Sequence, residues 1–70
     1  MANIYPPDIL IKTLKKQSPY MIKVIDTELA NGVEPKELVE FIRQCEGSEI
    51  VIDACVAYIG QRAKEMKDEQ

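Results

Sequence analysis

The chain has no histidine and no tryptophan, a single phenylalanine, three glycines and two cysteines among its 70 residues. Each scarcity excludes something. Without histidine there is no usual base to activate a cysteine or serine nucleophile. Cys45 and Cys55 stand ten residues apart. A zinc site needs four ligands, usually in paired short spacings, and two lone thiols do not supply them. No catalytic, cofactor-binding or metal-ligating residue is therefore assigned, and no small-molecule ligand is indicated. Long apolar runs are missing too. The uncharged stretch from Ala54 to Gln61 is eight residues, far short of the ~20 that a bilayer span needs. The start, Met1 to Tyr5, lacks the basic flank and apolar stretch of a signal peptide. The expectation is a cytoplasmic chain with reduced thiols and no membrane association.

What is present is the balance of a small globular domain. Apolar residues make up 46% and charged residues 30%, with 9 basic against 12 acidic groups and a net charge of −3. The charge is uneven: residues 1–31 sum to +1 and residues 32–70 to −4. A chain this short sits near the limit of self-sufficient folding, where disulfides, a metal or a partner subunit usually supplement the core. With the first two unsupported, association is the expected supplement.

Punctuation divides the chain into four helical segments within a single domain, 1–70, whose ends at 1–5 and 68–70 read as flexible. The expectation is an all-α fold, a compact four-helix array at about 7–16, 19–31, 35–46 and 49–67, with the last helix longest and central. The nearest alternative has three helices behind a disordered first segment. Pro6-Pro7 opens the first segment, with Pro7 at the first helical position, Asp8 in the favourable first turn and Lys15 and Lys16 near the end. Ser18-Pro19 opens the second, and Asn31-Gly32 closes it with a glycine free to take the left-handed cap. Glu34-Pro35 opens the third, with Val33 and Leu38 placed for a hydrophobic staple. Leu38, Phe41, Ile42 and Cys45 then read as one buried face, and Gly47 as the terminator.

Ser48 is a good N-cap for the fourth segment, which is apolar on most of its circumference over three turns. A strand over Glu49 to Val56 would suit its Ile and Val content, but no second strand candidate exists to pair with it. Ala54, Ala57, Gly60 and Ala63 recur every three residues, which permits close approach of another backbone. Tyr58 beside them brings a hydroxyl that needs a partner if buried. Glu46, Glu49 and Asp53 cluster at the third junction, where negative charge suits a helix N-terminus.

The junction Ala30-Asn31-Gly32-Val33-Glu34-Pro35 resembles a helix-turn-helix turn, with Leu38 and Phe41 behind it. The resemblance implies a DNA-binding regulator using helices 2 and 3, with Lys36 and Arg43 near phosphate. Against it, Lys36, Glu37, Glu40 and Arg43 cancel in charge, and phosphate neutralisation supplies most non-specific affinity. Nucleic acid is not the expected partner. Tyr20 through Pro35, Leu38, Ile42 and Cys45 also resembles the second half of a saposin-like domain over less than half the chain. Val39 stands where that motif has its second cysteine, and this reading is carried no further.

The expected function is that of a small non-enzymatic regulatory or adaptor protein. It acts through an apolar helical surface on another protein, on itself as a homodimer, or on both. The protein-interface candidates are Ile50, Val51, Val56, Tyr58 and Ile59.

Overall fold

The computed structural model describes residues 6–68 and is all-α, as expected. Four helices run α1 (Pro7–Gln17), α2 (Pro19–Ala30), α3 (Pro35–Cys45) and α4 (Glu49–Asp68). The expected flexible ends fall outside the described residues, apart from Asp68, which closes α4.

Proline starts three of the helices. Pro7, Pro19 and Pro35 each occupy the first turn, where the missing N–H costs no intrahelical bond. At Ser18 the expected cap differs in detail. Its hydroxyl makes no capping hydrogen bond. Its backbone serves both neighbours instead: the Ser18 N–H donates to the Leu14 carbonyl at 2.8 Å, and its carbonyl accepts from the Met21 N–H at 2.9 Å. One residue thus joins α1 directly to α2.

Gly32 ends α2 as expected. It sits at φ 93°, the left-handed region that penalises a side chain. Its N–H donates to the Leu29 carbonyl at 3.1 Å, and the Val33 N–H reaches back to the Glu28 carbonyl at 3.0 Å. These two bonds form a Schellman motif and satisfy carbonyls that the helix end would otherwise orphan. Val33, just past the cap, packs against the core that buries Leu38. The far end of α3 is built differently from expectation. The cap there is Glu46 in extended geometry, and Gly47 takes no positive φ. The Glu46 carboxylate turns forward and accepts hydrogen bonds from the Gly47 and Ser48 N–H groups at 3.1 and 3.3 Å. Ser48 then caps α4, its Oγ accepting from the Val51 N–H at 3.5 Å. The acidic cluster read from the sequence is, at Glu46, a junction clasp.

The core draws on every helix: Ile11 and Leu14 from α1, Ile25 and Leu29 from α2, Leu38 and Ile42 from α3, and Ile52, Ala54, Cys55, Tyr58 and Ile59 from α4. α4 is the longest element and packs against the other three. At 1.5 Å per residue its 20 residues run about 30 Å, most of the molecule's 38 Å long axis.

Candidate functional site

The five interface candidates do not share one surface. Ile50 is 57% exposed and Val51 half-buried. Both line an open groove of about 320 Å³ between α1 and the start of α4, whose other walls include Ile9, Leu10, Thr13 and Ala54. Val56 is half-buried elsewhere, in a shallow depression with Pro35, Val39 and Gly60 between α3 and α4. Tyr58 and Ile59 are buried in the chain's own core and lie on no free surface. The reason is geometric. α4 turns its Ile52, Cys55 and Ile59 side inward, and the neighbouring helices cover Tyr58 as well.

The structure also exposes large apolar residues, among them Phe41 from the face read as buried. Ile9 is 52% exposed and stands beside the groove with Ile50. Phe41 is 58% exposed, and Tyr20 and Val24 are exposed with it. Val24 and Phe41 flank a cleft between α2 and α3 floored by Met21, Ile25, Leu38 and Ile42. Cys45 lines the same cleft and is exposed, whereas Cys55 is fully buried; both are free thiols. Burial pushes the Cys55 thiol up to about 11, with a smaller contribution from the Glu46 charge. This is the signature of an inert structural thiol rather than a nucleophile.

Sequence reasoning missed one polar assembly. Asp26 on α2 accepts the Tyr58 hydroxyl at 2.7 Å and the Arg62 Nε–H at 3.1 Å through the same Oδ1. Arg62 also donates to Glu65 at 3.0 Å, and Gln61 donates to the other Glu65 oxygen at 3.4 Å. The network pins α2 to the second half of α4. Tyr58 is pushed up to about 12, first by burial, then by its hydrogen bond to Asp26 and that carboxylate's charge. Among the described residues no three His, Cys, Asp or Glu side chains come together as metal ligands. No helix there is long and apolar enough to cross a membrane.

Gly60 answers the small-residue spacing on α4. Ala54 is buried, but Gly60 is exposed, and a Cβ added there would meet nothing within 4 Å. No other part of the described chain requires a glycine at this helical position. Gly60→Ala is therefore expected to stabilise the fold by about 1 kcal/mol, read as a Tm increase of roughly 4–8 °C. A fall in Tm would show that a backbone approaches Gly60 in the folded protein.

The outer face of α3 presents Lys36 and Arg43 beside Glu37 and Glu40, all exposed. The fold thus adds no positive field to the helix-turn-helix reading. No family model, no curated protein and no solved structure matches this chain.

Proposed function

We propose that this chain is a small non-enzymatic adaptor of the cytoplasm that acts through apolar helical surface and works as a homodimer. The observation that carries the reading is the exposure of Ile9, Tyr20, Val24, Phe41 and Ile50. Single exposed apolar residues are ordinary on any surface. Here Ile9 and Ile50 line one cleft between helices and Val24 and Phe41 another, with Tyr20 beside Val24 on α2, and grouped apolar patches mark contact sites. The groove holding Ile9 and Ile50 and the cleft flanked by Val24 and Phe41 use different helices. Two separate patches suit a protein that must hold itself and a partner together. An exposed free thiol at Cys45 fits a reducing compartment.

Sedimentation equilibrium of the full chain at micromolar concentration tests the dimer. The expected result is a species of twice the 8.0 kDa chain mass that dissociates on dilution. A single 8.0 kDa species across the concentration range would overturn it.

A further inference from the structure

The shallow depression between α3 and α4 has a volume of about 410 Å³ and lies apart from the two clefts above. Half-buried Val39 and Val56 form its apolar part, and Lys36, Glu40 and Arg43 stand exposed along its α3 wall. Glu37, which helps balance the two cations along α3, does not line it. Among the described residues the ion pairs are Arg62–Asp26 and Arg62–Glu65, so Lys36 and Arg43 have no carboxylate partner there. The wall carries two cations to one carboxylate, within the half of the chain, residues 32–70, that sums to −4. Gly60 lines the α4 side and is exposed, and no atom lies within 4 Å of a Cβ placed on it. A glycine weakens the helix that holds it, and nothing in this fold uses the space it leaves. That space is open to the backbone of another chain.

We propose that this depression receives an amphipathic helix of another protein, one whose apolar face is edged by two carboxylates about two turns apart. The proposal rests on the adaptor reading above for its protein partner and gives that partner a chemistry; it makes no use of the dimer. Lys36 and Arg43 are seven residues apart on α3, about 10.5 Å along the helix. A helix laid into a groove between two others presents its own side chains at the same spacing. Its apolar residues meet Val39 and Val56, its backbone comes close at Gly60, and its carboxylates reach Lys36 and Arg43. Glu40, between the two cations, excludes a third acid at the middle of that edge. Rim charges of this kind select the partner and set its register more than they add raw affinity. Among the described residues no helix carries two carboxylates seven residues apart, so a second copy lacks the match. Nucleic acid drawn to Lys36 and Arg43 would be repelled by Glu37 and Glu40 on the same helix.

Two fluorescently labelled designed peptides test the proposal by anisotropy against the full chain. Each is an amphipathic helix of about 18 residues, or about five turns, with a leucine and alanine face. One edges that face with two glutamates seven residues apart, and the other has lysines in their place. The glutamate peptide should bind roughly tenfold more tightly than the lysine peptide at low salt, and the difference should shrink as salt rises. Lys36→Glu with Arg43→Glu should abolish or reverse the preference. Because an acid in the last turn weakens a helix, Arg43→Gln provides a milder variant, expected to reduce the preference by a smaller factor, and far-UV circular dichroism verifies folding. Gly60→Leu fills open space without touching the fold, so it should keep the parent's melting temperature or raise it while weakening the glutamate peptide several-fold. Amide chemical-shift changes in the labelled chain should centre on Val39, Val56 and Gly60. Equal binding of the two peptides, binding of neither, or a Gly60→Leu chain that binds like the parent would overturn the proposal. Shift changes centred instead on Phe41 or Ile50 would remove this site and leave the adaptor reading standing on its two clefts.

Discussion

Ile25→Ala is expected to leave the chain largely unfolded at 25 °C. Ile25 is 0% exposed, at the centre of a core to which all four helices contribute. Truncating a buried isoleucine costs about 2–5 kcal/mol, from lost burial and from the cavity that remains. A core of this size supplies on the order of 3–5 kcal/mol in total. The two figures are comparable, so the folded fraction falls steeply. Ile59→Ala, at 1% exposure, should behave alike. Tyr20→Ala, at 64% exposure, should change stability by no more than about 0.5 kcal/mol. Urea titrations at one fixed chain concentration compare the three, since association would shift each midpoint. Equal losses for Ile25 and Tyr20 would contradict the burial pattern.

Removing Asp26 should have the next largest effect, and one that shrinks as pH rises. At neutral pH, Asp26→Ala strands the buried Tyr58 hydroxyl and leaves Arg62 with Glu65 alone. An orphaned buried donor costs about 1–3 kcal/mol. Adding Tyr58→Phe should recover part of that loss, because the two side chains act on one hydrogen bond. At high pH the difference narrows. The fold holds the Tyr58 phenol neutral up to about 12, above its ordinary value of 10.0. The stability this supplies is complete below pH 10 and disappears as pH climbs through 12. Cys55, held protonated up to about 11 against an ordinary 9.0, adds a loss beginning lower. The parent should therefore weaken steadily above pH 9. Asp26→Ala removes the hydrogen bond and the charge that help raise Tyr58, so its own alkaline loss should be smaller. Urea midpoints at pH 8 and pH 11 read both effects. Tyrosinate absorbance, compared with and without Tyr58→Phe, isolates the phenol. An alkaline slope identical in parent and variant would show that Asp26 does not hold the Tyr58 proton.

Helix boundaries were legible because local chemistry sets them. Pro7, Pro19, Gly32, Pro35 and Ser48 act within a turn of their own position, and each stands at or beside a helix end. Gly47 misled because glycine permits a left-handed cap without requiring one. Here the Glu46 side chain supplies the acceptors instead. The surface was legible only in part. Helical periodicity shows which residues share a face, but how much of that face is covered depends on the neighbouring helices. Phe41 and Ile42 are adjacent in an apolar pattern, yet Ile42 is buried and Phe41 lies outside the cover. The same limit put Tyr58 and Ile59 on the expected interface when their neighbours enclose them. Tyr58's need for a hydrogen-bond partner followed from its chemistry. Asp26 as that partner did not, because it lies 32 residues away and no local pattern joins them.

The three helices that lean on α4 are short, at 11, 12 and 11 residues. Isolated helices below about 12–15 residues are marginal in water. None of the three therefore has an existence separate from the long one. Dissection into working fragments is closed to this molecule, and any ligand that reorients α4 must carry the remaining helices with it or melt them.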